Sequence, residues 1–209
     1  MDKKPSRPLG RPKSTQQKQP TNELILQAAS TLFMENSFAD VSMDDVASAS
    51  NVTKATVYYY YKTKSDLYTD AMVKLMYRVR KQIIELLRQP IELKTKLQQV
   101  AEVYLQIAVH LDMDFFIQNA KSMLDHDQIK AIHTAEDYMY EGMEEVFEEA
   151  IANGEIRQVN PAFTVHSYIS LLNAGNYQNA NGDTLFTNSQ EAAKEIVDFF
   201  WRSVMIDKS

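Results

Sequence analysis

The chain has 209 residues, of which 44% are hydrophobic, so it can bury one medium core or a small domain joined to a larger one. It contains no cysteine, which excludes disulfides and thiolate zinc sites, and no apolar run approaches the ~18 residues of a membrane span. Residues 1–64 carry nine Lys/Arg against six Asp/Glu, and residues 65–209 carry thirteen against twenty-two. Only the N-terminal end therefore suits contact with polyanions. The basic start lacks the apolar segment of a secretory signal, so we expect a cytoplasmic protein.

Residues 1–20 form a basic, proline-rich arm. They hold four of the six prolines and six basic residues against one acid. Such a segment cannot offset the entropy of ordering, so we predict that it is disordered in isolation. Leu9-Gly10-Arg11-Pro12-Lys13 is similar to the Gly-Arg-Pro element of A/T hooks, which predicts that Arg11 enters a DNA minor groove. A solubilising tail explains the same composition.

Apolar residues at helical spacing predict a helix of about 14 residues from Thr21, with Thr21 or Asn22 as its cap. A second helix starts at Ser42, where Ser42 and Asp45 make a cap of the S-x-x-D kind. A turn over Asn51-Val52 leads to a third helix from Thr53, which is too short to bury itself. This order of helix, turn and exposed helix is typical of a helix-turn-helix DNA reader.

Residues 21–67 resemble the DNA-binding domain of the tetracycline-repressor-like (TetR/AcrR) family. The resemblance is carried by Ser42-Met43-Asp44-Asp45-Val46-Ala47, Val52-Thr53-Lys54 and Thr56-Val57-Tyr58-Tyr59-Tyr60-Tyr61. Where the family usually has glycine, this chain has Ser37, Asn51 and Ala55. Asparagine tolerates a left-handed backbone, so we expect the turn to survive.

The resemblance implies an all-α fold, in which an N-terminal helix-turn-helix DNA-binding domain (residues 21–66) is joined to a helical effector-binding and dimerisation domain (residues 67–209). It implies a ligand-responsive transcriptional regulator, most simply a repressor that leaves a pseudo-palindromic operator when a small molecule binds its core. An architectural or low-specificity DNA-binding protein without an effector is the alternative.

Chemistry and position in the motif predict which residues bind DNA. Lys54, Thr56 and Tyr58 should face base edges or the adjacent phosphates, while Tyr60 and Lys64 should hold phosphates. The full set is Arg11, Ser42, Thr53, Lys54, Thr56, Tyr58, Tyr60 and Lys64. We expect Tyr61 in the core and leave Tyr59 open between core and surface. Asp44 and Asp45 should face away from DNA, because phosphate would repel them.

Beyond residue 63 the sequence pattern predicts further helices joined by short connections. One helix should run from Thr63 to about Gln89, where Pro90 stops it, and connect the reader to the core. A long helix should begin at Thr134 and stop at Asn153-Gly154. Helices at 161–179, capped by Asn160, and at 189–206 follow, separated by a polar loop over 181–188. We find no convincing strand.

Methionine and aromatic residues on the inward faces predict either a cavity for an apolar or aromatic effector or an ordinary core. The candidate ligand-binding residues are Met72, Met76, Tyr104, Phe115, Phe116, Met123, Tyr138, Met139 and Met143. Interleaved acids, among them Asp112, Asp114 and Glu136, would suit a cationic effector if they are not simply a solvated face. The histidines lack metal-site spacing, so we expect no metal and no cofactor.

The helices at 161–179 and 189–206 are expected, by the resemblance, to pair with their copies in a homodimer. Tyr168, Ile169, Leu172 and Gly175 lie on the first, and Phe199, Phe200 and Trp201 on the second. Small Ala174 and Gly175 would let the symmetry mate approach closely, although packing within one monomer would use the same residues. Glycine-rich phosphate loops, G-x-S-x-G elbows and cysteine nucleophiles are absent from the sequence, which argues against an enzyme.

Overall fold

The computed structural model describes residues 20–107 and 113–206, and the side chains of all of these except residues 107 and 113–116. Within these ranges the chain is all-α, with an N-terminal helix-turn-helix unit followed by a helical C-terminal unit. The helices are α1 (Thr21–Glu35), α2 (Met43–Ala49), α3 (Lys54–Tyr60), α4 (Lys64–Leu87), α5 (Leu93–Ile107), α6 (Met113–Ala120), α7 (His126–Ala152), α8 (Pro161–Gly175) and α9 (Ser189–Val204). An isolated antiparallel bridge joins Gln178 to Thr184, and no strand forms in the described ranges.

The N-terminal unit is held together by a small aromatic core. Phe33 of α1 and Phe38 of the following loop both make edge-to-face contacts with Tyr68 of α4, at ring-centroid distances of 4.8 and 5.1 Å. Val46 of α2 and Val57 of α3 are fully buried, so each short helix turns one side inward. Because α4 supplies Tyr68, the N-terminal unit packs directly onto the helix that enters the C-terminal unit.

The C-terminal unit is built around the long helices α4 and α7. These pack against each other, α7 packs against α8, and α5 packs against α9. Their apolar faces close a continuous core in which Phe147 and Tyr168 each contact the ring of Phe200. No helix of the described residues is long and apolar enough to cross a membrane.

Several predicted helix boundaries are confirmed by the local chemistry. Ser42 and Asp45 form a reciprocal capping box, Asn160 caps α8 with Pro161 at its first position, and Gly154 ends α7 at φ 68°. Asn51 takes φ 54° at the helix-turn-helix turn, the left-handed geometry that we expected asparagine to tolerate there. Local sequence therefore determines these helix starts and ends.

Helices α4 and α9 each end two residues before the predicted position, and three other features of the helix ends differ more from the prediction. Helix α7 starts at His126 instead of Thr134, because Asp125 and Gln128 form a second capping box and Ile132 is buried one turn later. Helix α1 has Pro20 at its N-cap position, so neither Thr21 nor Asn22 caps it. Helix α8 ends at Gly175, four residues before the predicted end, since the backbone leaves the helix at Asn176.

Candidate nucleic-acid interface

The exposed surface of α2, the turn and α3 is set by the caps of two very short helices. The Ser42 hydroxyl accepts from the Asp45 backbone N–H, and the Asp45 carboxylate accepts from the Ser42 backbone N–H at 2.8 Å. The hydrogen bonds to Ser42 lower the pKa of Asp45. Thr53 caps α3 by accepting from the Thr56 N–H, and the two threonine hydroxyls lie 2.8 Å apart. Both predicted DNA-contacting threonines thus also hold the start of α3.

Helix α3 turns a polar and aromatic side to solvent. Val57 and Tyr61 are buried, whereas Lys54, Tyr58 and Tyr60 are exposed, as the sequence pattern predicts. Tyr59, which the sequence leaves open, is 83% exposed and meets Tyr60 edge to face. Three consecutive tyrosines therefore reach solvent from a helix of 7 residues.

Lys54 is held by an acidic residue on the same surface. Its Nζ lies 2.6 Å from Asp44 Oδ2, and both side chains are more than half exposed. The hydrogen bond and charge of Asp44 raise the pKa of Lys54, which keeps the ammonium protonated. The expectation that Asp44 faces away from this surface is therefore wrong. Asp45 alone behaves as predicted, because its carboxylate is turned back onto the cap.

Lys64 has a different environment from the one predicted. Its Nζ donates to the carbonyl oxygens of Phe38 at 2.8 Å and Val41 at 2.9 Å, and it lies 4.4 Å from the centre of the Phe38 ring. The ammonium is thus bound to the loop between α1 and α2 instead of projecting toward a phosphate. Sequence reasoning missed this role because the carbonyls are some 25 residues away along the chain.

The net charge of residues 20–64 is negative, although residues 1–64 together are net positive. Residues 20–64 contain three lysines against five acids, and the positive balance of the N-terminal end comes from residues 1–19. With Lys64 bound to carbonyls and Lys54 bound to Asp44, Lys62 is the one lysine of residues 20–64 without a polar partner in the described part of the chain. Arg11 lies outside the described residues.

The predicted effector residues divide into three groups. Met72, Met76, Tyr104, Met139 and Met143 are buried. Met123 and Tyr138 are 62% and 42% exposed, so their predicted inward orientation is wrong: Met123 lies in the α6–α7 connection and Tyr138 lies on the outer side of α7. The side chains of Phe115 and Phe116 lie outside the described residues.

Three of the buried members, Met76, Tyr104 and Met139, line a small cavity of about 10 Å³. It is lined by Met76, Val79, Tyr104, Glu136, Met139, Tyr140 and Ile169. Glu136 accepts from the Tyr140 hydroxyl at 3.1 Å and lies 3.4 Å from His133 Nδ1, so a carboxylate with polar neighbours belongs to this lining. A small molecule would need more room than the described side chains leave here.

A larger open cleft of about 640 Å³ lies where α8 ends and α9 begins, and the sequence does not predict it. It is lined by Leu105, Gly175, Asn176, Gln178, Thr184, Phe186, Thr187, Asn188, Ser189 and Ala192. Its wall comes from the polar loop before α9, whose amides and hydroxyls have no periodic pattern. Among the described residues, no cluster of three acidic or histidine side chains has the arrangement of a metal site.

Hydrogen bonds join the N-terminal end of α4 to the connection between α6 and α7. The Ser65 hydroxyl donates to the Met123 carbonyl at 3.0 Å, and the Gln128 amide donates to Asp66 at 3.1 Å. Gln128 also accepts from the Asp125 N–H, so one side chain belongs to both the α7 cap and the α4 contact. The part of α4 nearest to α3 is thereby tied to the C-terminal unit.

Helices α8 and α9 each carry a large apolar side chain in solvent. Phe163 is 73% exposed and Phe199 is 65% exposed. Tyr168, Ile169, Leu172 and Phe200, which we predicted for a dimer contact, are buried inside the monomer. Gly175 also faces inward, since an added Cβ would lie 2.6 Å from Ile196 Cδ1 and 3.0 Å from Leu105 Cδ2. Its lack of a side chain serves packing within one subunit.

Comparison with known proteins identifies a family for this helix-turn-helix. Residues 25–71 match the model of the bacterial regulatory proteins of the tetR family. A stretch of 58 residues is 34% identical to the HTH-type transcriptional regulator AcrR of Shigella flexneri, covering 28% of this chain and 27% of that protein. The match thus spans about a quarter of the length of this curated relative.

Solved structures extend the likeness to the whole fold. A putative TetR-family regulator from Mesorhizobium loti superimposes with a TM-score of 0.67 at 20% identity, covering 89% of this chain and 97% of the other. A putative transcriptional regulator from Saccharomonospora viridis, solved in complex with choline, gives a TM-score of 0.69 at 16% identity, covering 89% and 98%. At these identities the similarity concerns the arrangement of the helices.

Proposed function

Because the chain is a TetR/AcrR-like protein, we propose that it is a DNA-binding transcriptional regulator, most simply a repressor released from its operator by a small molecule. The observation that carries this proposal is the short, capped α3, which buries Val57 and Tyr61 and turns its other side to solvent within the segment matched by the family model. A surface helix of this kind fits the major groove. The proposed units are an arm (residues 1–20), a DNA-binding domain (21–66) and an effector-binding and dimerisation domain (67–209).

In the proposed complex, α3 reads bases and its neighbours hold phosphates. Lys54 can donate to guanine O6 and N7, the Thr56 methyl can contact a thymine methyl, and Tyr58 extends from the same side. Ser42 and Thr53, at the starts of α2 and α3, and Tyr60 would lie near the backbone. Lys64 would act indirectly, by fixing the loop before α2. Arg11 would bring the charge of the arm into the minor groove.

The proposed effector site is the small cavity among Met76, Tyr104 and Met139. Since its volume is about 10 Å³, binding would require these flexible methionines to move. Displacement of α7 would reach the start of α4 through the Gln128 contact and, across the α6–α7 connection, through the Ser65 contact. It would thereby change how the two α3 helices of a dimer are spaced. Because DNA and effector would then favour different states, each must weaken the other by the same factor.

The chemistry of this site favours an apolar or aromatic effector that carries a positive charge. Glu136 provides a carboxylate and Tyr104 and Tyr140 provide aromatic rings, a combination that attracts an organic cation. The choline bound by the regulator from Saccharomonospora viridis is a molecule of this class. Neutral apolar compounds of similar size serve as controls when this preference for a cation is tested.

A homodimer through α8 and α9 completes the proposal. Two copies of α3 about 34 Å apart would read successive turns of a pseudo-palindromic site, which gives a small reader enough contacts. Such a regulator acts in the cytoplasm and needs no catalytic step.

A footprint of the chain's own promoter region, followed by titration of that site and a scrambled duplex at matched salt, tests the function. We expect at least ~1000-fold preference for the footprinted site, the lower end for specific regulators. Equal affinity for both duplexes would instead support an architectural DNA-binding protein. K54M should weaken binding to the footprinted site, whereas K74M, a matched change at an exposed lysine of α4, should not.

The effector is sought by adding organic cations and neutral analogues to the complex with the footprinted site. A cation that releases DNA from the wild-type protein should no longer release it from E136Q. Release of DNA by a cation in wild type and E136Q alike would contradict the assigned role of Glu136.

A further inference from the structure

An acidic side chain lies on the surface that would face DNA. Asp44 is the second residue of α2 and Lys54 is the first of α3, so their ion pair spans the turn of the helix-turn-helix. We propose that Asp44 is a specificity-determining residue: it binds the Lys54 ammonium and thereby weakens attachment to DNA of arbitrary sequence. This inference rests on the proposed function and concerns the same surface.

The Asp44 carboxylate makes no hydrogen bond within α2, although its charge in the first turn complements the helix dipole. Asp45 completes the capping box with Ser42, and the hydrogen bond from the Ser48 hydroxyl goes to the Asp44 backbone carbonyl. In the described part of the chain, the Asp44 side chain has Lys54 as its one polar partner. Its presence on this surface therefore follows from neither the cap nor the core.

The ion pair also contributes little to stability. Both side chains are more than half exposed, and surface pairs of this kind are weak because water screens them. DNA can therefore compete for Lys54 at small cost. Exchange of Asp44 for a phosphate replaces one anionic partner of Lys54 with another and so gains little, whereas guanine O6 and N7 are aligned with Lys54 only at a matching base pair.

Lys54 is a large share of the cations that residues 20–64 can offer to phosphates, because these residues contain only three lysines. Lys62 is the other lysine of residues 20–64 that is not bound to backbone carbonyls. Non-specific affinity comes from phosphate contacts, so it depends directly on the number of available cations. Binding Lys54 to Asp44 lowers that number while leaving the groups that read bases in place.

The test compares variants of the full chain on two duplexes of equal length, the footprinted site and a scrambled sequence, over a range of salt. D44N should raise affinity for the scrambled duplex about tenfold in a dimer, and steepen its log–log salt slope by about 0.9 per subunit, because each subunit frees one lysine for a phosphate. The ratio of specific to non-specific affinity should fall by a similar factor. D44E, which keeps the charge, should behave as wild type.

Two controls separate this mechanism from a general change of charge. E35Q removes one negative charge from α1 without breaking an ion pair of the described residues, and should leave both affinities nearly unchanged. In a K54M background, D44N should lose its effect. Thermal unfolding monitors the fold, and D44S replaces D44N if the asparagine variant does not fold.

The proposal is overturned if D44N leaves scrambled-DNA affinity unchanged, if E35Q has an equal effect, or if D44N acts equally without Lys54. Failure of the proposed function would look different. Wild type would then bind both duplexes equally, and the effect of D44N on the scrambled duplex would still be measurable.

Discussion

Two lysines ten residues apart show how the same residue type serves different ends. Lys54 is exposed and meets another side chain, so its contact can be exchanged for DNA. Lys64 is half-buried and meets backbone carbonyls, which cannot move without reshaping the loop that carries Phe38. The motif resemblance implied DNA contact for both. Burial and partners separate the proposed contact residue Lys54 from Lys64, which shapes the surface.

The first prediction concerns Lys64. K64M should lower the free energy of unfolding by about 1.5–3 kcal/mol, because charged hydrogen bonds to the Phe38 and Val41 carbonyls are lost. K62M, in which the replaced lysine has no such bonds, should change it by less than about 0.5 kcal/mol. Urea unfolding at neutral pH measures both. Equal stability of the two variants would show that Lys64 does not hold the loop.

The second prediction concerns the buried hydroxyl beneath α3. Burial, followed by the negative charge of Asp70, raises the pKa of Tyr61 to about 12 from its ordinary value of 10.0. Because the folded state favours the neutral phenol, the stabilisation is fully present below pH 10 and is lost as pH rises toward 12. By the usual conversion of a pKa shift it amounts to at most about 2.7 kcal/mol, which solvent screening reduces.

The comparison is between wild type and Y61F, which has no ionisable group at this position. Stability of Y61F should fall less steeply between pH 10 and pH 12, when followed by urea unfolding at fixed ionic strength. Y59F, altered at the exposed neighbouring tyrosine, should follow the wild-type curve. Parallel curves for wild type and Y61F would contradict the raised pKa.

At the scale of the elements, predictability from sequence follows the range of the interactions. Ser42 with Asp45, and Asn160 with Pro161, act within four residues, and these caps were predicted correctly. Asp125 and Gln128 have the same local form and were missed, so the error at the start of α7 was avoidable. The partners of Lys64 and Gly175 lie far away in sequence, and no local pattern could have revealed them.

The same reasoning applies to the candidate site. The exposed side of α3 was predicted because Val57 and Tyr61 share one face of a short helix. The orientation of side chains was harder to predict on long helices, because residues at the edge of an amphipathic stripe can face either the core or solvent. Tyr138 lies on such a flank and packs on Arg80 instead of entering the core. The volume of the cavity beside Met76 and Met139 depends on how several helices pack together, which periodicity does not encode.

The third prediction tests the link between α4 and the α6–α7 connection. S65A removes the hydrogen bond to the Met123 carbonyl and should speed amide hydrogen exchange over residues 121–125. Affinity for the footprinted DNA should stay within about twofold, because Ser65 is not placed on the reading surface. In wild type, DNA binding should slow exchange in this connection, and S65A should reduce that effect.

Hydrogen exchange with mass spectrometry, with and without DNA, supplies the measurement. S48A is the control, since it removes a hydroxyl bond within α2 and should not alter residues 121–125. Equal responses of wild type and S65A to DNA would show that this contact does not couple the two units.

At the scale of the whole molecule, the surfaces that remain apolar point to assembly. The core of the monomer already contains the inward faces of α8 and α9, so a dimer cannot use Tyr168, Leu172 or Phe200. Phe163 and Phe199 remain in solvent on these adjacent helices. In a symmetric contact, each of these side chains would be buried in both subunits, so one substitution removes two buried side chains from the interface.

The last prediction follows from this arrangement. F199D should raise the dissociation constant of the dimer by about a thousandfold, since a buried aromatic anchor contributes about 2 kcal/mol or more and occurs in both subunits. Met123 is exposed to a similar degree but lies in the α6–α7 connection, so M123D serves as the matched control. Analytical ultracentrifugation over a range of concentrations should find F199D monomeric and M123D dimeric. Circular dichroism should show unchanged helix content in both, because the Phe199 side chain lies outside the monomer core.

Without a dimer, F199D should also lose most of its preference for the footprinted site, since one α3 helix then reads only half of it. A dimer that persists equally in F199D and F163D would place the contact on another surface.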